Sequence, residues 1–516
     1  MSHSVSLRVV VIILLSLLLS TSSFSLLKSL DSFLSSAEYK LAPEHYTSQY
    51  LLGLSLGLDV AQYQHIREVE HGSKKWQKLA TNLARNDADI AWQLSQYYKL
   101  KQQQRNYQYW FDKAAELGSV DALITNIENK LAAQPQQKQY LEAKRALSEL
   151  LDSNDDALIL STHLAIEFND LEQLSHNIRL LKSDRGKHLR QLINRYRVLP
   201  SQYHLEQPAN SLLSKANSSS SKALSCDNKI QFFATSIPAL SKLEQQIALL
   251  SVTPFYSQKF CFSTPRFISK AELKCSHSDE QRIQCDESIW QDKALEPDIK
   301  YLGVLVEKGG ANVNHGILYI DEQDSQQVVE HELMHLIGYV DEYPLHASHN
   351  VCLASNDEAI ANNVIKVDKR YYNNETQARA ILLAKLPWRN LIASDTPLTT
   401  PVTMNNTTKY KVGTPMSHKQ KVGLFPTNTC NNHEALTFKP VSIATKLEYF
   451  EQSLPDTYQQ LSFNAADKFN MPSYQYNIGL SLLRQEQGEL AQQWFVESAK
   501  LETDQRRQKV ISQGGF

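Results

Sequence analysis

The chain has 516 residues, of which 42% are hydrophobic and 21% charged, with a formal net charge of -2. That length leaves room for roughly two to four domains with a sizeable core, and the composition is ordinary for a globular protein. The near-neutral balance excludes a general electrostatic attraction to nucleic acid or anionic lipid, so no nucleic-acid partner is expected.

At the N-terminus His3 and Arg8 lead into the apolar run from Val9 to Leu19, which turns small and polar through Ser20 to Ser25. The run is short for a bilayer span, and Ser23-x-Ser25 offers a small-x-small cleavage pattern. Residues 1–25 are therefore expected to be a signal peptide, with membrane attachment only if the segment is retained as an anchor. No cysteine follows closely, which argues against a lipoprotein anchor. The expected compartment is exported, periplasmic or secreted.

From Ser29 to about Tyr203 leucine and alanine recur at three- and four-residue spacing, so a helical-repeat domain is expected over 26–205. Its informative part is Ala91-x-x-Leu94-x-x-Tyr97-Tyr98 followed by Trp110-Phe111-x-Lys113-Ala114-Ala115-x-x-Gly118. Small residues let two helices approach, aromatics fill the gap, and Gly118 serves the turn. The stretch resembles the short relatives of tetratricopeptide repeats. Gln49-Tyr50-x-x-Gly53-Leu54-Ser55-Leu56 returns as Gln475-Tyr476-x-x-Gly479-Leu480-Ser481-Leu482, and Trp110-Phe111 is echoed by Trp494-Phe495. A C-terminal helical-repeat segment is thus expected over 451–516. Such arrays present a surface to another protein or to their own chain, so a protein partner is expected through the repeats.

The stretch 206–225, with Pro208 and the run Ser218 to Ser221, lacks apolar periodicity and reads as a linker. Beyond it the texture turns strand-like in Ile230–Ala234, Tyr301–Val306 and Gly316–Ile320. A catalytic domain is expected over 226–450, with residues 310–317 as an edge strand or an ordinary turn and buried strand. All six cysteines, Cys226, Cys261, Cys275, Cys285, Cys352 and Cys430, lie in this region. In an exported chain an even number favours disulfides, whose pairing the sequence leaves open; Cys275 and Cys285 are placed to close a small loop.

The chemistry centres on His331-Glu332-x-x-His335. A helix sets residues four apart on one face, so both imidazoles can reach one ion while Glu332 stands beside them as general base. Val328, Val329, Leu333, Met334, Leu336 and Ile337 supply a buried flank. Asp324 with Gln327 forms an expected capping box, and Gly338 permits the reversal that ends the helix.

A catalytic zinc takes three protein ligands as a rule, and the third is Asp341 or Glu358. The order His-Glu-x-x-His-x-x-Gly-x-x-Asp, ending at Asp341, resembles the metzincin metallopeptidases, and Asp341-Glu342-Tyr343 is similar to the IgA-peptidase-like group. Asp341 is preferred because Gly338 and Asp341 fit one geometry together. Glu358, within Asn356-Asp357-Glu358-Ala359, resembles the second ligand helix of gluzincins. The metzincin resemblance implies a methionine turn beneath the metal, for which Met416 is the more turn-like candidate than Met404; Phe438-Lys439-Pro440 resembles the stretch before that turn, but there only Leu447 lies nearby. Tyr343 and His418 are candidates to support the transition state. Glu342 reads equally as support for the site or as a solvated charge.

The fold class expected is therefore α+β and multidomain: a zincin-like α/β catalytic domain with a mixed sheet and a metal-binding helix, flanked by all-α helical repeats. The function expected is a Zn2+-dependent endopeptidase acting on polypeptide substrates. The alternative is a repeat-based binding scaffold whose metallopeptidase domain has limited activity.

Overall fold

The computed structural model describes residues 25–36, 47–133, 135–200, 228–275, 283, 285–293, 295–346, 348–353, 358–430, 436–464 and 467–515. The apolar run 9–19, Cys226 and the expected linker 206–225 lie outside the described residues. The chain divides into two compact units, Met1–Ser161 and Thr162–Phe516.

The described part of the first unit is built of short helices. Its centre is the hairpin of α1 (Ala88–Leu100) and α2 (Gln104–Glu116). Asp87 starts α1 by accepting a hydrogen bond from Ile90 N at 2.8 Å, and Gly118, at φ +86°, turns the chain out of α2. Ala91 and Ala114 are fully buried. Trp76, Leu94, Trp110 and Phe111 pack with them into one core. The small residues admit the close helix approach, and the aromatics fill what remains.

The second unit begins within helix α3 (Asp155–Glu167) and centres on a mixed sheet. Its strand order is β2-β1-β4-β6-β5, from β1 (Lys229–Ala234), β2 (Cys261–Phe262), β4 (Tyr301–Val306), β5 (Asn312–Asn314) and β6 (Ile317–Asp321), with β3 (Arg266–Phe267) also paired to β1. Strands β1, β4 and β6 run parallel. All six residues of β4 are buried, as expected of a parallel strand covered on both faces. Gly303 in β4 lies opposite Phe232; a Cβ there would stand 2.3 Å from the Phe232 ring, so glycine gives that ring its place. β5 pairs antiparallel with β6 and forms the edge, so the segment 310–317 contains an edge strand.

Helix α4 (Ile237–Val252) follows β1, and helix α5 (Gln326–Leu336) follows β6. The Tyr301 hydroxyl, at the start of β4, donates to the carbonyl of Leu336, the last residue of α5, at 3.1 Å. Helix α5 therefore returns along the sheet and ends at the amino ends of the parallel strands. Two small antiparallel sheets complete the scaffold: β8 (Tyr371–Tyr372), β10 (Thr407–Val412) and β9 (Thr399–Met404), and β11 (Phe425–Pro426), β12 (Leu436–Lys439) and β7 (Ile365–Val367).

The C-terminal hairpin of α6 (Tyr474–Arg484) and α7 (Gly488–Ala499) shares one hydrophobic core with the main sheet. Tyr476, Ile478, Leu482 and Phe495 pack with Phe233, Trp290, Val304 and Tyr319. A Cβ on Gly479 would stand 2.5 Å from the Phe495 ring, so the glycine lets the two helices cross closely.

Disulfides join Cys275 to Cys285 and Cys352 to Cys430, and Cys261 is disulfide-bonded as well. They are consistent with an oxidising, extracytoplasmic location. Among the described residues no helix is long and apolar enough to cross a membrane. The architecture is α+β and multidomain, as composition and periodicity predict.

Candidate metal centre

Helix α5 is started by Ser325, whose hydroxyl accepts from Val328 N at 3.4 Å. This corrects the expected Asp324 capping box: the Asp324 carboxylate instead accepts from Asp321 N at 2.7 Å and closes the preceding turn. The helix buries Val329, His331, Glu332, Leu333, Met334 and Leu336. It ends at Gly338, φ +83°, where a Cβ would meet the Phe469 backbone at 2.7 Å. Both the left-handed conformation and the close approach demand glycine there.

That turn brings Asp341 back to the two histidines. Asp341 Oδ1 lies 3.0 Å from His331 Nε2 and 3.2 Å from His335 Nε2, and the two Nε2 atoms are 3.1 Å apart. The outer nitrogens face carbonyls: His331 Nδ1 lies 2.7 Å from Lys446 O, and His335 Nδ1 3.0 Å from Tyr339 O. A carbonyl only accepts, so each Nδ1 carries a proton, and in the neutral ring Nε2 is the nitrogen that keeps its lone pair. Asp341 Oδ1 is accordingly buried without a hydrogen-bond donor, despite its short distances to both rings. Two lone pairs and a carboxylate oxygen converge on one point, a donor set that fits a metal ion.

The electrostatics ask for a positive charge at the same point. Burial favours a neutral His335, but the Asp341 carboxylate outweighs burial and lifts that imidazole to about 10. Burial would raise the Asp341 carboxyl, and the two imidazoles instead hold it far below the ordinary carboxylate range. Glu332, 7% exposed, is raised by burial, with the neighbouring imidazoles opposing. No hydrogen bond ties its carboxylate to the described residues, so it is available to a water or substrate beside the triad.

Glu342 is a buried node, not a solvated charge. Its carboxylate accepts from Lys439 Nζ and Thr445 Oγ1, both at 2.8 Å, from Asn363 Nδ2 at 3.0 Å and from the Tyr458 hydroxyl. Its backbone N donates to Leu447 O at 2.9 Å. The Thr429 hydroxyl holds the Asp341 carbonyl at 2.9 Å. Separate stretches of chain thus fix the segment that carries Asp341.

Of the other sequence candidates, Glu358 is exposed on a bend, its carbonyl accepting from Lys366 N, and lies outside the triad. Tyr343 follows Glu342 and is 38% exposed. Met416, 64% exposed, opens a short 3-10 helix that ends at His418, which contacts Ser417. That exposure does not suit a residue buried beneath the centre. The Lys446–Leu447 stretch reaches the centre through the Lys446 carbonyl at His331, and Leu447 is fully buried. Sequence reading missed Lys446, Thr429, Asn362 and Asn363. Asn362 Nδ2 donates to Ile337 O at 2.9 Å, and Asn363 brackets the Val340 backbone through both side-chain atoms. The adjacent asparagines were the only signal, since their partners are backbone groups distant in sequence.

The chain matches no protein-family model, no curated protein and no solved structure in comparison with known proteins.

Proposed function

We propose that the chain is a zinc-dependent endopeptidase. The observation that carries this reading is the pair of Nδ1-to-carbonyl hydrogen bonds that turn both Nε2 lone pairs toward Asp341 Oδ1, with an untethered Glu332 on the same helix. When bound there, zinc would acidify a water and polarise a carbonyl. His331, His335 and Asp341 would hold it. Glu332 takes a proton from the attacking water and delivers it to the leaving nitrogen, a role suited to a carboxyl raised by burial. The edge position of β5 supports a polypeptide substrate, because an extended chain can pair with backbone groups at a sheet edge whatever its side chains. The resemblance of His331 to Asp341 to the metzincins supports the same assignment, with Leu447 where that family's turn would place methionine. The short helices of the first unit recruit the substrate or a protein partner.

The test is Glu332→Ala, assayed on an unfolded protein substrate alongside metal analysis. Hydrolysis should fall by about 100-fold or more while bound zinc stays unchanged. Equal rates in the two proteins would leave the binding-scaffold reading instead.

A further inference from the structure

The net charge of -2 conceals a local excess. Of the 53 Lys and Arg and the 55 Asp and Glu, ten and three respectively lie between Ile365 and Pro426, which gives that segment +7 and the rest of the chain -9. The chain leaves the small β11-β12-β7 sheet at the end of β7 and returns to it at β11, so the excess belongs to one continuous excursion. Several of its cations are met by neutral groups. Arg379 donates to the carbonyls of Thr396 and Ala393, Lys409 Nζ donates to Asn373 Oδ1 at 2.5 Å, and Lys369 Nζ stands 4.6 Å from the centre of the Tyr372 ring. Neutral partners hold a charge in place without cancelling it.

Within the excursion the β9–β10 hairpin projects. Its two-residue turn is Asn405 and Asn406, at φ +49° and +59°, as a tight hairpin requires. At its base Thr399, Val412 and Tyr372 share one face and are buried, and the helix Glu375–Lys385 packs against β9. Towards the turn both faces are open: Thr403 and Thr408 are exposed on that side, Met404 and Thr407 on the other, and Met404 is 42% exposed. The ten residues from Thr399 to Thr408 carry no charge. Lys409 and Lys411 follow on the Met404 face, opposite Val402 and Thr400. At about 3.3 Å per residue they stand roughly 7 and 13 Å behind Thr407. An uncharged tip with an exposed thioether, and cations one step behind it, matches the layering of a bilayer surface. There apolar groups reach about 5–10 Å into the boundary and cations meet the phosphates. A dissolved acidic chain would gain nothing from the uncharged tip.

We propose that the β9–β10 hairpin seats the protein on an anionic lipid surface, Met404 entering the headgroup layer and Lys409 and Lys411 lying among the phosphates. The rest of the chain, at -9, is repelled by the same surface, which turns the excursion towards it. The surface is independent of the metal centre and of the activity assigned there.

Among the described residues no cysteine is free, so a Met404→Cys variant of the exported chain can carry an environment-sensitive fluorophore at the tip. Its emission should rise and shift to the blue on vesicles of equal parts phosphatidylcholine and phosphatidylglycerol, and stay unchanged on phosphatidylcholine alone. An apolar anchor elsewhere in the chain would act on both vesicles alike. In flotation of the unlabelled protein, Lys409→Gln together with Lys411→Gln should weaken binding to the anionic vesicles by roughly 30-fold. Met404→Ser should weaken it by about tenfold. Equal response to both vesicles would overturn the proposal, as would no response to either. Binding of soluble poly-L-glutamate as tight as that of the anionic vesicles would assign the face to acidic polypeptides and overturn it too. The two vesicles compared on the unaltered protein decide the matter even where a variant fails to fold.

Discussion

His331 Nδ1 donates to the carbonyl oxygen of Lys446, 2.7 Å away and 115 residues further along the chain. The same lysine returns its ammonium to helix α5, pairing with Glu330 at 3.1 Å. One residue thus sets the tautomer of a candidate ligand through its backbone and anchors itself through its side chain. The centre depends on contacts of this kind, and the predictions probe them in turn.

The third ligand separates two schemes. Asp341→Ala should lose zinc on dialysis, with a drop exceeding the roughly 10–100-fold that loss of a supporting group costs. Glu358→Ala should keep the metal, since Glu358 lies outside the triad. Metal content by mass spectrometry after dialysis checks both, and the opposite pattern would reassign the site.

The Glu342 node should carry both stability and metal affinity. Glu342→Gln leaves Lys439 with Glu448 alone, at 3.1 Å, and removes a charge from a buried network. The expected cost is about 3 kcal/mol in chemical denaturation. Zinc affinity should fall by about 10–100-fold, because Asp341 is the preceding residue. A variant within about 0.5 kcal/mol of the native chain would show that the node is not structural.

At the turn, Gly338→Ala combines a left-handed backbone with a Cβ 2.7 Å from the Phe469 main chain. A loss of about 2–4 kcal/mol is expected, with weakened metal binding. Wild-type stability and metal content in this variant would contradict the turn geometry.

The bridge between Cys352 and Cys430 spans 78 residues and adjoins Thr429, which holds the Asp341 carbonyl. Paired Cys352→Ala and Cys430→Ala substitutions should cost roughly 4 kcal/mol by the chain-entropy estimate. Metal should exchange faster as Thr429 loosens. Thermal melting and competition with a chromogenic chelator would show both effects. Unchanged exchange would mean that Thr429 is held without the bridge.

Much of the fold was legible in the chain. The apolar runs at Ile230, Tyr301 and Ile317 became the three parallel strands, because fully buried strands need unbroken apolar sequence. The small-residue and aromatic pattern around Ala91 and Trp110 became a close-packed hairpin. The cap was misread between neighbours: Asp324, expected to start the helix, closes the turn at Asp321 three residues back, and Ser325 beside it is the cap. Met416, the more turn-like of the two methionines, is 64% exposed. Composition cannot tell an exposed methionine from a buried one, since the thioether suits both settings.

The sequence by itself determined that His331, Glu332 and His335 share one helix face and that a glycine follows them, because helical period and backbone stereochemistry are local properties. Only the tertiary structure decided that Asp341 meets both imidazoles, that Glu342 is buried, and that a Lys446 carbonyl orients His331. Those contacts join residues tens to more than a hundred positions apart, and backbone carbonyls, common to every residue, leave no mark in the sequence.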